Sequence, residues 1–249
     1  MARRYALLSD IHSNLGALTA VLDDLDKRHV DTIINLGDIL YGPLEPLATY
    51  ELLRSRDIVT IRGNQDRQIY EARATEIAQS PTLAFILENL GDEPVEWLRS
   101  LPPTATVDGR IFACHGTPTD DTVYLLEDVS SGSPILNDDD SITRAIGNIA
   151  EPIVVCGHSH LAHVVHLGPD KLVVNPGSVG LPAYQDEDPF PHKMQSYSPH
   201  ASYAIIDFID GHQIHVEIHR TTYDEQSASR LAAKHGRPDW SRALASGRV

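Results

Sequence analysis

The sequence predicts an α/β protein, one domain in which two packed sheets are flanked by helices. Three observations predict it. From Tyr5 to Asn64, short apolar runs alternate with amphipathic stretches as strand–helix–strand–helix–strand, the order that gives parallel pairing with right-handed crossovers. From residue 104 onward the pattern changes to many short strands with few helices between them. No internal repeat or linker separates the two parts, so 1–249 reads as a single domain.

The elements follow in order. After the run Tyr5–Ser9, Asn14 can cap a helix with Leu15, Leu18, Leu22 and Leu25 on one face, ending near His29. Ile33–Leu36 is a short buried strand that stops at Gly37-Asp38, and Tyr41-Gly42-Pro43 turns into a helix through about Arg56. Ile58–Ile61 leads to Asn64. Residues 67–100 read as a helical excursion, with Pro81 and Pro94 each starting a segment and Pro102-Pro103 ending it. Strands are expected at about 104–107, 110–114, 153–156, 162–167, 171–174, 202–208 and 213–220. Asp138-Asp139-Asp140 reads as a solvated loop and cap before a short helix at 141–149. Residues 184–200, polar and proline-rich, are expected to form an irregular loop that borders the substrate cleft and moves more than the sheets. A helix at roughly 224–235 and a polar tail carrying Trp240 make up the last region, about 222–249.

With 249 residues, 41% of them hydrophobic, the chain can bury a sizeable core. A net charge of −15 argues against non-specific binding to nucleic acid or anionic membranes, since both need basic patches. No apolar run approaches the ~18 residues of a spanning helix. The opening Met1-Ala-Arg-Arg-Tyr5 lacks a signal-like apolar segment, and Cys114 and Cys156 read as small core hydrophobes of a reducing compartment. A cytoplasmic location is the expectation.

Five apolar runs end in residues that bind metals: Asp10-Ile-His12, Gly37-Asp38, Gly63-Asn64-Gln65-Asp66, His115-Gly116 and Gly157-His158-Ser159-His160. In an open α/β sheet, chemistry sits beyond the carboxyl ends of the strands. Each element alone is an ordinary turn; together they converge on one edge. Two hard divalent cations about 3.5–4 Å apart need a bridging carboxylate, with imidazoles and carboxamide oxygens in the remaining positions. Asp38 is the natural bridge. Asp10, His12 and His160 would complete one metal, and Asn64, His115 and His158 the other. The other nine histidines, His192, His212 and His235 among them, read as surface or internally satisfied residues.

The order of these five motifs is similar to that of the calcineurin-like metallophosphoesterases. Ser9–Leu15, Leu36–Pro43 and Val174–Gly180 further resemble the branch of YfcE-type phosphodiesterases and their diadenosine-polyphosphatase-like relatives. The resemblance spans residues 5 to about 208. It implies a four-layer αββα sandwich, two divalent metal ions (Mn, Fe, Ni, Zn or Mg/Mn mixtures) and attack on phosphorus by a hydroxide bridging them. It also implies a small phosphorylated substrate, nucleotides included, and places Asn14 and Ser178 among residues that would contact it. Many members carry a His-Asp proton-donor pair; here Gln65 and Tyr41 stand in those places. Gln65 has no acidic proton to give, and the phenol of Tyr41 is a weak acid, so leaving groups that depart unaided are expected to react fastest. Ser13 stands where glycine is usual, and Ala162 where proline often is. The leading expectation is a phosphodiesterase or nucleotide phosphoanhydride hydrolase; the alternatives are a phosphomonoesterase or a non-catalytic scaffold on the same fold. Oligomeric state is left open.

Overall fold

A computed structural model describes residues 3–209 and 213–249; His212 lies outside them. The first part alternates as the sequence predicts: β1 (Arg3–Leu8), α1 (Leu15–Arg28), β2 (Thr32–Asn35), α2 (Pro46–Arg54) and β3 (Ile58–Thr60). Four short helices follow, α3 (Asn64–Glu71), α4 (Ala74–Gln79), α5 (Pro81–Leu90) and α6 (Asp92–Ser100). The second part runs β4 (Thr104–Val107), β5 (Ile111–Cys114), β6 (Glu127–Asp128), β7 (Ile135–Leu136), α7 (Asp139–Ile146), β8 (Ile153–Val155), β9 (Ala162–Leu167) and β10 (Lys171–Pro176). It ends with β11 (Ala183–Asp186), β12 (His192–Gln195), β13 (Ala201–Ile209), β14 (Gln213–Thr221), α8 (Glu225–Lys234) and α9 (Pro238–Ser246).

Two five-stranded mixed sheets result, in the orders β14-β13-β1-β2-β3 and β4-β5-β8-β10-β9. The two-residue period of each strand assigns its faces. In β1, Tyr5 and Leu7 point into the layer between the sheets, where they meet Ile111, Ile153, Val155 and Val174. Ala6 and Leu8 point the other way, onto Leu18, Leu22 and Leu25 of α1. In β8, Ile153 and Val155 face the other sheet while Val154 packs under Ile142 and Ile146 of α7. The layers are therefore helix, sheet, sheet, helix, the sandwich that the motif resemblance implies. β1, β2 and β3 are mutually parallel, as are β5 and β8, so their carboxyl ends open along shared edges.

Three regions depart from expectation. The excursion begins at Asn64 itself, the first residue of α3, because the Asp66 carboxylate in the first turn accepts the Gly63 N–H and caps the helix start. Residues 184–200 are not an irregular loop: β11 and β12 pair antiparallel from Ala183↔Gln195 to Asp186↔His192. Nor is the C-terminal segment a polar tail. It is α9, with Pro238 at its first position and Trp240, Ala243 and Leu244 buried against Leu44, Leu181 and Ala183.

Candidate metal centre

Every one of the seven proposed ligands follows a strand. Asp10 and His12 leave β1, Asp38 leaves β2 and Asn64 leaves β3; His115 leaves β5, and His158 and His160 leave β8. Five of them, Asp10, His12, Asp38, His158 and His160, have φ between 50° and 68°. This left-handed region is uncommon for side chains other than glycine, and such strain concentrates where a site must be held open. Ser13 shares it at φ 53°, which is the physical reason a glycine would suit that position. Glycines let the turns meet: a Cβ on Gly63 would sit 2.2 Å from Asp38 Oδ1, and one on Gly37 2.3 Å from Gly63 N. Buried Asp66 ties the same two turns, accepting N–H bonds from Gly63 at 2.9 Å and Ile39 at 2.8 Å; burial first, then Asp38, pushes its pKa up to about 7.

The structure gathers the ligands into two groups. Asp10, His12 and His160 bring their donor atoms within 4.8 Å of one another, as do Asp38, His115 and His158. Asn64 joins the second group, its Oδ1 3.0 Å from His115 Nε2. Each imidazole spends one nitrogen on a backbone carbonyl: His12 Nδ1 on Tyr41 (2.9 Å), His115 Nδ1 on Leu36 (2.7 Å), His160 Nδ1 on Leu181 (2.6 Å) and His158 Nε2 on Thr122 (3.0 Å). The opposite nitrogen of every ring is thereby left with its lone pair toward the cleft, the arrangement that orients metal-binding histidines.

These groups fit divalent cations. Both carboxylate oxygens of Asp10 are buried without a hydrogen-bond donor. His12 Nε2 and His160 Nε2 face each other at 3.1 Å, although each ring already donates through Nδ1. Bare buried oxygens and opposed lone pairs are costly unless a cation sits among them. Burial, with His160 beside it, lowers the His12 pKa to about 4; burial, with His115 beside it, lowers that of His158 to about 4. Both are therefore neutral and free to ligate at neutral pH. Burial also works to lower the His115 pKa, but Asp38 and Asp10 outweigh it and raise it to about 10. Surroundings that favour a proton there favour a metal equally.

The remaining predicted residues divide. Tyr41 and Gln65 line a cavity of about 360 Å³ together with His12, Asp38, Asn64, His158 and His160. The Gln65 N–H donates to Asp38 Oδ1 at 2.9 Å, and its Oε1 is buried without a donor. Asn14 and Ser178 sit behind the ligands rather than in that cavity. Asn14 caps α1 and donates to Gly180 O and Tyr223 Oη; the Ser178 hydroxyl donates to Asp10 O and accepts from Leu181 N. Both hold loops, and neither is among the residues that line that cavity. The β11–β12 ribbon does border the cleft, through Ala183, Tyr184, Gln185 and Asp186.

Sequence reasoning missed the aromatic wall. The Tyr124 ring stacks on His158 at 4.6 Å, Tyr184 packs against His160 at 4.5 Å and Trp240 meets His12 edge-on at 5.6 Å. His192 is buried and satisfied, held by Tyr124 Oη and Phe190 O. Among the described residues no helix is long and apolar enough to cross a membrane.

The sequence profile of the calcineurin-like phosphoesterase superfamily domain matches residues 4–211. An uncharacterized protein of Methanocaldococcus jannaschii is 29% identical over 257 residues, covering 94% of each chain. The crystal structure of a metallophosphoesterase from Sphaerobacter thermophilus superposes with a TM-score of 0.76 at 26% identity, covering 99% of this chain and 100% of that one. A candidate diadenosine tetraphosphatase shares the fold at a TM-score of 0.50 and 18% identity, over 87% of this chain and 93% of that one.

Proposed function

The chain belongs to the calcineurin-like phosphoesterase superfamily, and from that premise we propose that it is a two-metal phosphohydrolase acting on phosphodiesters or nucleotide phosphoanhydrides. One observation carries the reading: seven donor side chains gather in two groups at a cavity that His12, Asp38, Asn64, His158 and His160 line, with bare Asp10 oxygens and four imidazoles locked by backbone carbonyls. Asp10, His12 and His160 would hold one metal, Asn64, His115 and His158 the other, and Asp38 both. Such metals, when bound, neutralise phosphate oxygens and make hydroxide available from water at neutral pH.

The chain's own groups set the selectivity. The cavity of about 360 Å³ suits a small molecule. Gln65 stands at its wall without an acidic proton, so an alkoxide must leave unassisted or take a proton from Tyr41, a residue that lines the same cavity. Aryl esters and phosphoanhydrides, whose leaving groups are stable anions, are favoured. We place the reaction in the cytoplasm, since Cys114 and Cys156 are free and buried.

The test is a substrate panel with the Mn-, Ni- or Zn-loaded protein: aryl and alkyl phosphodiesters, dinucleoside polyphosphates and aryl phosphomonoesters. Rates that fall steeply as the leaving-group pKa rises, with diesters or anhydrides preferred over monoesters, are expected. A preference for monoesters, or equal rates for aryl and alkyl diesters, contradicts the reading.

A further inference from the structure

The family match ends at residue 211, yet the cavity that holds the metal ligands is walled on one side by α9, beyond that limit. Arg237, the residue that precedes this helix, lines the wall, and the helix itself contributes Asp239, Trp240 and Arg242. Its position is fixed by burial of Trp240, Ala243 and Leu244, and by the Ser229 hydroxyl of α8, which donates to Ser241 O at 2.8 Å.

The two arginines differ. Arg237 is spent: Nε and Nη2 donate to Asp239 at 2.9 and 2.6 Å, Nη1 donates to Thr82, and the guanidinium lies over Trp240. Arg242 donates no side-chain hydrogen bond and has no carboxylate within 4.0 Å among the described residues. It is thus an uncommitted cation in the wall of a metal-ligand cavity, in a chain of net charge −15.

A second cavity, of about 710 Å³, adjoins the first at Asn64, His158 and Asp186. Glu127, Asp128, Asp186 and Asp188 line it, with Val123 and Phe190 exposed beside them and no Lys or Arg. The first cavity has carboxylates too, but Asp239 there is paired with Arg237, and Asp186 borders both cavities. An anionic group extending from a phosphate at the metal ligands therefore meets an unpaired cation only on the α9 side among the described residues.

Resting on the phosphohydrolase reading, we propose that Arg242 is a specificity residue that binds a second phosphate of the substrate, next to the phosphate held at the metal centre. The ligand class is a nucleotide with two or more phosphates, its terminal or retained phosphate paired with the guanidinium by charge-assisted hydrogen bonds. The uncharged remainder lies toward Phe190.

The experiment compares AMP and ADP as competitive inhibitors of bis(p-nitrophenyl) phosphate hydrolysis by the Mn-loaded protein. Wild type should bind ADP at least about tenfold more tightly than AMP, the scale of one charge-assisted contact. Arg242→Gln should reduce that ratio to near one, and Arg242→Lys should keep part of it. Arg248→Gln, the same charge change at an exposed residue over Tyr197 and outside the cavity, should leave the ratio intact. A wild-type ratio near one, a ratio unchanged in Arg242→Gln, or equal weakening of both nucleotides overturns the proposal. Should wild type hydrolyse no diester, the phosphohydrolase reading fails by itself. Calorimetric Kd values for AMP and ADP then decide the Arg242 subsite by the same ratio.

Discussion

The two halves of the centre use the same residue types but satisfy them differently. In the half made by Asp10, His12 and His160, two carboxylate oxygens have no donor and two imidazole nitrogens oppose each other at 3.1 Å. In the other half, Asp38 Oδ1 accepts the Gln65 N–H, and His115 Nε2 lies 3.0 Å from Asn64 Oδ1 and 3.5 Å from Asp38 Oδ2. One proton on His115 would satisfy this second half; in the first, one on His160 Nε2 would face His12 Nε2 at 3.1 Å and Asp10 Oδ1 at 3.4 Å and still leave Asp10 Oδ2 without a donor. The first half is thus built around a cation, whereas the second can exchange one for a proton. The first should hold its metal more tightly.

The largest expected effect comes at the seam. Asp38→Asn removes the charge proposed to serve both halves and should abolish measurable turnover and lower metal content, with the far-ultraviolet dichroism of the wild type. Near-normal turnover with any divalent metal would remove the two-metal account. Next in size is the proton donor. Gln65→His with Tyr41→Asp should raise alkyl-diester rates by about 10²-fold while changing aryl-diester rates little, the usual contribution of a placed general acid. An equal change in both would mean that leaving-group protonation does not limit the reaction.

Asp10→Asn sharpens the contrast directly. Burial opposes ionisation of its carboxylate, but His160 and then His115 outweigh that and lower its pKa, so the charge is available to a cation of the first half. Metal content of the variant should fall from two ions per chain towards one; two ions retained would contradict the place of Asp10 as a ligand. The gentlest effect concerns Glu127, beneath the turn that sends one histidine to each half; its carboxylate accepts the Ser159 Oγ–H at 2.7 Å. Burial raises its pKa from 4.5 to about 7. The folded state therefore binds the extra proton, and stability should fall as pH rises from about 4.5 through 7, by about 3 kcal/mol at most. Thermal melts of Glu127→Gln should be flatter across that window; an unchanged slope assigns the dependence elsewhere.

The centre was legible because each ligand is local to its strand end. An apolar run fixes the strand, and the next two or three residues land at its edge whatever the rest of the chain does. Asn14 and Ser178 lie in the same strings, but proximity in sequence does not say which way an amide or hydroxyl points; theirs point into loops. The walls were not legible for a different reason. Trp240, Tyr124 and Tyr184 reach His12, His158 and His160 from 24 residues away or more, through tertiary packing without a periodic signal. In α9 the buried positions, Trp240, Ala243 and Leu244, are few and set among polar residues, so a nine-residue helix reads as a tail. In 184–200 the prolines and charges mask a four-residue register that only the paired strands reveal.

Titration of the metal-free protein with Mn²⁺, following metal content and phosphodiester turnover together, tests the central claim most directly. The account predicts two ions per chain, bound in two steps of unequal affinity, with turnover appearing only as the weaker step fills. Full turnover at one ion per chain, or none at two, would contradict it.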